Sequence, residues 1–144
     1  MTKDVRISIC GIQNGPDNDG EPIEMIVTGE YYYKNEKHYI LYEEHVEGEI
    51  TTIKNRIKMA PGFLELTKSG VVNVHMIFED NKKTHTHYHT PYGVLEMGID
   101  AKKVEINVTE DEIRAVAEYA LEMNEEFVSD CNIKIVVKPR EKIL

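Results

Sequence analysis

The chain has no tryptophan, two cysteines and five prolines in 144 residues. Cations are also scarce: 17 Lys and Arg against 26 Asp and Glu leave a formal charge of −9. Each shortage excludes something. Two thiols, Cys10 and Cys131, are too few for a disulfide scaffold. An acidic chain lacks the positive surface that duplex nucleic acid or an anionic membrane requires, so neither is expected as a partner. No stretch approaches the roughly 18 consecutive apolar residues of a membrane-spanning helix. Met1-Thr2-Lys3-Asp4 leads into Val5-Arg6-Ile7-Ser8-Ile9, too short and too polar for a secretory h-region. A reducing cytoplasm with free thiols is the expected setting.

What the chain has is alternation. Thr84-His85-Thr86-His87-Tyr88-His89 alternates two side-chain classes, and Val94 to Asp100 alternates with Leu95, Met97 and Ile99 on one face. Between them Thr90-Pro91-Tyr92-Gly93 makes a corner. Period two marks half-buried strands, and a corner between two of them marks an antiparallel pair. The pattern recurs. Val5, Ile7 and Ile9 open a first strand, and a second runs from Ile23 through Tyr31-Tyr32-Tyr33. After a hairpin at Lys34-Asn35-Glu36-Lys37 come strands from His38 to Val46, from Ile50 to Met59, around Leu64 and Leu66, and along Val72, Val74, Met76 and Phe78. Val104, Ile106 and Val108 continue the alternation past Lys102-Lys103, and Ile133, Ile135 and Val137 repeat it before Pro139. Gly11 to Pro22, dense in turn formers, is the expected mobile loop.

One segment is ambiguous. Thr109-Glu110-Asp111-Glu112 fits a capping box, and Ile113, Val116, Ala117, Ala120 and Leu121 recur at helical spacing. The same residues also alternate. The local pattern favours a helix over 110–124. About eight to ten short strands in one domain, spanning 1–144, imply an all-β sandwich or a closed barrel.

The order of parts carries a resemblance. Gly29-Glu30-Tyr31-Tyr32-Tyr33-Lys34 precedes Tyr42-Glu43-Glu44, then Thr51-Thr52-Ile53-Lys54, Lys68-Ser69-Gly70, Met76-Ile77-Phe78, Tyr88-His89-Thr90-Pro91-Tyr92-Gly93 and Tyr119-Ala120-Leu121. From about Val5 to Lys138 the chain resembles the YwiB-like family of small bacterial proteins of unknown function. The resemblance implies a single closed antiparallel β-barrel of the lipocalin-like (calycin) type, and it places Ala115 to Met123 on a strand. It implies no catalytic residues. Lys68 stands where an arginine is common, and the histidine strand is unusually rich in imidazole.

Three constellations carry chemistry. Residues two apart on a strand share a face roughly 6.5–7 Å apart, so His85, His87 and His89 form a ladder of zinc, nickel or copper ligand types. His75 joins it if the preceding loop is Asp80-Asn81-Lys82, which sets Glu79 opposite Lys83 and His75 opposite His87. The shorter loop Asp80-Asn81 would bury the imidazoles, at roughly 1–3 kcal/mol for each unpaired polar group. The longer loop is favoured, with the ladder in solvent and Thr84, Thr86 and Tyr88 inside. Second, Ile40, Tyr42 and Glu44 share an inward face, as do Thr51 and Asn55, so polar groups line part of the interior. Tyr42, Glu44, Asn55 and Tyr88 are the candidate contacts of a small, partly apolar ligand, with Lys68 the candidate counter-ion of Glu44. Third, Tyr39, Leu41, Ile77 or Val116, if exposed, would form a homodimer or partner patch.

An enzyme is not expected. Neither cysteine adjoins a histidine, and Cys10 and Cys131 fall on different strand faces. No serine sits in a nucleophile elbow. Glu43 and Glu44 point to opposite faces, unlike a glycosidase pair. The tyrosines near Tyr31 lack the interleaved cations of a single-strand binder. A phosphate loop and a Cys-x-x-Cys are absent, so no cofactor is expected. The leading expectation is a ligand-binding barrel, followed by an interaction module with a filled barrel and a surface metal site.

Overall fold

The computed structural model describes residues 3–15, 18–19, 23–45, 48, 52–70 and 73–140. Thr51 and Val72, assigned above to inward faces, lie outside the described residues. The strands are β1 (Asp4–Gly15), β2 (Asn18–Asp19), β3 (Ile23–Lys34), β4 (Lys37–His45), β5 (Thr52–Ala60), β6 (Phe63–Ser69), β7 (Val74–Glu79), β8 (Lys83–Thr90), β9 (Gly93–Val108), β10 (Ile113–Met123) and β11 (Glu126–Pro139). They pair antiparallel in the order β7-β6-β5-β4-β3-β1-β11-β10-β9-β8, with β2 beside β1. The result is an all-β, nearly closed barrel.

Alternation places the core. Val5, Ile7, Ile40, Ile57, Leu64 and Phe78 are at most 1% exposed and belong to one contiguous cluster reaching across the ring. Phe78 meets Tyr119 edge to face at 4.8 Å. At this level the interior is filled. Burying each such side chain contributes about 1.5–3 kcal/mol.

β3 changes partner along its length. Residues 23–30 pair with β1, and residues 30–34 pair with β4. Gly29 sits at the pivot, where an added Cβ would stand 2.4 Å from the Leu41 carbonyl oxygen. Only the absence of a side chain permits that approach. The following hairpin turns through Asn35 and Glu36, both at positive φ (52° and 63°), the geometry that matches strand twist.

The local helical pattern over 110–124 is overruled. Residues Ile113–Met123 are a strand held on one edge by β9 and on the other by β11. Ile113, Ala115 and Ala117 are buried and Arg114 and Glu118 are exposed, so period two governs. Thr109 does not cap a helix. Its hydroxyl donates to the Glu112 carbonyl at 3.2 Å and its N–H to the same oxygen at 2.8 Å, closing the β9–β10 turn. Ladder bonds on both edges outweigh a propensity difference of tenths of a kcal/mol per residue.

Other boundaries shift as well. β9 runs unbroken past Lys102, where its pairing with β10 slips by one residue, a bulge that preserves the inward face. Residues Gly11–Gly15 extend β1, and Asn18–Asp19 pair back on it, so this part of the expected loop is strand. Pro16, Asp17 and residues 20–22 lie outside the described residues.

The chain ends close the ring, with β1 and β11 paired from Val5↔Pro139 to Asn14↔Asp130. The break comes between consecutive strands. Among the described residues no ladder joins β7 to β8, although a tight turn connects them. At one end Asn73 and His89 exchange backbone hydrogen bonds of 3.3 and 3.1 Å. At the other, the Lys82 N–H reaches the Glu79 carbonyl at 3.0 Å, with Asn81 at φ 59°. Between them the Thr84 hydroxyl donates to the Ile77 carbonyl at 2.6 Å, taking an acceptor a ladder would use. The turn is fastened to β9: the Asp80 carboxylate accepts from the Val104 N–H at 3.0 Å, and the Lys82 carbonyl accepts from the Ala101 N–H at 3.0 Å.

Candidate functional site

The Asn73–His89 bridge sets the register across the seam. Extended along both strands, it puts His75 opposite His87 and Glu79 opposite Lys83, the arrangement expected of the longer loop. His85, His87 and His89 are exposed, while Thr84, Thr86 and Tyr88 turn inward and are half-buried. Where the ladder is missing, a cleft of about 590 Å³ opens along the seam. His75, His85, His87 and His89 all line it, together with Arg56 and Thr67.

The imidazoles do not converge on a point. Among the described residues, no three His, Cys, Asp or Glu side chains are grouped to hold one ion. His75 Nε2 stands 2.8 Å from Glu65 Oε2, and His85 Nδ1 stands 3.5 Å from Glu96 Oε1. The rings of His87 and His89 are 6.5 Å apart. Carboxylates thus engage two of the ladder's members from the side.

Arg56, Glu65 and Thr67 went unremarked in the sequence, yet they build the cleft's far wall. Arg56 faces Thr67 across β5–β6, and Thr67 faces His75 across β6–β7. Glu65, with only 12% of its side chain exposed, also holds Arg56 Nη2 at 3.5 Å. Strand parity puts Arg56, Glu65 and Thr67 on the outer face, but their meeting with the histidines depends on register between distant strands.

The four candidate ligand contacts are placed differently. Tyr42 and Asn55 are cross-strand partners, 7% and 5% exposed. Asn55 Nδ2 donates to the Ile53 carbonyl at 3.3 Å. Burial, then the Glu44 charge, push the Tyr42 hydroxyl up to about 12. Lys68 donates to Glu44 Oε1 at 2.6 Å, the pairing anticipated from parity. Tyr88 packs against the core from β8. Tyr42 and Asn55 line a second cleft of about 530 Å³ with Gly29 and Leu41, on the side where β3 leaves β4; Glu44 and Tyr88 are not part of it.

The inner wall holds a polar group that sequence reading missed. Ser129 Oγ and Cys131 Sγ are 3.3 Å apart and buried. Tyr119, opposite Cys131, has its hydroxyl pKa raised by burial and then by Cys131. Cys10 is half-buried, and both thiols are free. The expected partner patch does not form as written, because Tyr39, Leu41, Ile77 and Val116 are all half-buried. Ile77 lines the seam cleft, and Tyr39 stacks on Tyr32 at 4.9 Å. The exposed large apolar residues include Ile26, Tyr33, Tyr92, Val94 and Phe127 instead. Among the described residues no helix is long and apolar enough to cross a membrane.

Comparison with known proteins agrees with this architecture. The chain is 31% identical over 111 residues to the uncharacterized beta-barrel protein YwiB of Bacillus subtilis, covering 76% of each chain. It superposes on the crystal structure of the ywiB protein from Bacillus subtilis with a TM-score of 0.83 and 22% identity, covering 96% of this chain and 93% of that one. The family profile described as a domain of unknown function, DUF1934, matches residues 7–135. A nearly closed antiparallel barrel, the match along most of its length and the YwiB likeness together place this chain in the DUF1934 family.

Proposed function

We propose that this chain is a non-enzymatic binding protein of the cytoplasm whose small, partly apolar ligand lies in the cleft along the β7–β8 seam. The observation that carries the reading is the missing ladder between two consecutive strands. It leaves a concavity of about 590 Å³, within the ~300–1,000 Å³ range of small-molecule sites. Ile77 and Val74 offer apolar contact there, and Arg56, Thr67 and the histidines offer placed polar groups. The barrel interior is a weaker host. Tyr42 and Asn55 are nearly sealed, and Glu44 is already engaged by Lys68. Free thiols at Cys10 and Cys131 support the cytoplasmic placement.

A thermal-shift screen of small molecules tests the reading, repeated on His87→Ala, Glu44→Gln and Tyr88→Phe. Hits should stabilise the wild type and lose their effect in His87→Ala. Hits that respond only to Glu44→Gln or Tyr88→Phe would move the ligand into the barrel mouth. If no hit responds to any of the three, the binding reading fails.

A further inference from the structure

Resting on that reading of the cleft, we infer that its ligand carries two or more oxyanion groups, phosphate or carboxylate, held between Arg56 and Thr67 on one side and His75, His87 and His89 on the other. The argument begins with a row across the sheet. Arg56, Thr67 and His75 are successive cross-strand partners, and the seam register carries the row on to His87. Neighbouring strands lie about 4.8 Å apart, so the row presents donors over a span suited to more than one anionic group.

Each member has donor capacity to spare. Glu65 engages Arg56 through Nη2 and His75 through Nε2, orienting both from the side. A guanidinium has five N–H donors and an imidazolium two, so donors remain for a ligand. Among the described residues the buried Thr67 hydroxyl oxygen has no hydrogen-bond partner. A buried hydroxyl without a partner costs about 1–3 kcal/mol, and an oxyanion in the cleft would relieve that cost.

Charge points the same way. Among the cleft's lining residues, Arg56 and Lys68 stand against Glu65, and Glu44 beside Lys68 brings the balance to zero, so the hollow becomes cationic when its imidazoles are protonated. The chain around it has a formal charge of −9. A metal cation would meet Arg56 and Lys68 before it met a closed ligand set. The charged groups facing the imidazoles are Arg56 from β5, Glu65 and Lys68 from β6, Lys83 from β8, Glu96 from β9, Glu122 from β10 and Glu125 in the turn after it. Glu44 holds Lys68, and Glu122 holds Lys83. Glu96 opposes His87 and approaches His85, which leaves His75, His87 and His89 as the groups best placed to answer a ligand. Imidazoles change charge between about pH 5 and 8, so anion binding here should take up protons.

Isothermal titration calorimetry of the intact chain tests this with inorganic pyrophosphate, citrate and zinc chloride. The titrations run at about pH 5.5 and pH 8.0, either side of the imidazole range, at constant ionic strength. The variants are Arg56→Gln and His87→Gln, each first checked by thermal melt for an intact fold. Pyrophosphate or citrate should bind at the lower pH and weaken about tenfold or more at the higher, since each proton taken up is worth up to tenfold per pH unit. Each substitution should cost about tenfold, the usual worth of a charge-assisted hydrogen bond. No anion binding at either pH, or equal binding in wild type and both variants, overturns the inference. So does His87-dependent zinc uptake without anion binding. A neutral hit in the screen that depends on His87, with no response to either anion, would remove the oxyanion and keep the binding reading. No cleft-dependent ligand of any charge would remove both.

Discussion

Tyr42 shows how far burial, aided by a neighbouring carboxylate, moves an ionisable side chain. Its hydroxyl rises from 10.0 to about 12, chiefly through desolvation and secondarily through Glu44. The folded chain therefore keeps a proton that the unfolded chain releases. The sign follows: this stability is intact below pH 10 and is lost as pH climbs from 10 to about 12. A shift of two units is worth at most about 2–3 kcal/mol. Thermal melts across that window should fall, and Tyr42→Phe should fall less steeply. Tyr119 and Tyr31 are raised in the same direction by burial and add to the slope. An unchanged slope in Tyr42→Phe would show that burial of this hydroxyl is not what couples folding to pH. His38 moves the opposite way: burial lowers its pKa, while its Nδ1 meets the Tyr31 hydroxyl at 2.8 Å. Parity made the Lys68–Glu44 pair legible, and parity with the cost of burying imidazoles made the outward histidines legible. It could not reveal the Thr67 hydroxyl, whose isolation depends on atoms from three strands.

At the scale of elements, the β7–β8 turn is the part that the rest of the seam depends on. Asp80 caps the Val104 N–H from 24 residues away, at the bulged stretch of β9. Asp80→Ala leaves that donor without its acceptor and should cost about 1–2 kcal/mol, read by chemical denaturation. Asp80→Asn keeps a carbonyl acceptor and should recover most of the loss. Equal stability of Asp80→Ala and the wild type would mean that the backbone bonds of the turn, Ala101 to Lys82 and Asp80 to Gly62, suffice to hold it. β10 teaches the complementary lesson. Its Ala, Leu, Glu and Met content satisfies helix and strand patterns together, and the choice belongs to β9 and β11 on its two edges. The YwiB-like resemblance resolved it where local periodicity did not, because the order of all the parts already encodes those neighbours.

For the molecule as a whole, closure and weakness lie in unexpected places. A meander barrel ordinarily has its vulnerable joint where the chain ends meet. Here β1 and β11 are fully paired, and the unladdered joint lies between adjacent strands. Hydrogen exchange should report this directly. Amides of β1, β10 and β11 open only with global unfolding, whereas seam-facing amides of β7 and β8 need only local opening. They should exchange far faster, and equal protection in both regions would mean that the seam behaves as closed sheet. The same joint gives the barrel its histidine-lined cleft.

Side-chain periodicity is a local property, written every second residue, and it was enough to specify the all-β class and most strand positions; the facing of the histidine strand also needed the length of the loop before it. Hydrogen-bond partnership between strands is not local. It made 113–123 a strand, broke the ladder between β7 and β8, and brought Arg56, Glu65 and Thr67 against histidines that follow them by up to 33 positions. The physical reason is that alternation states which side of a sheet a residue occupies, while only the assembled ring decides which neighbour it meets there.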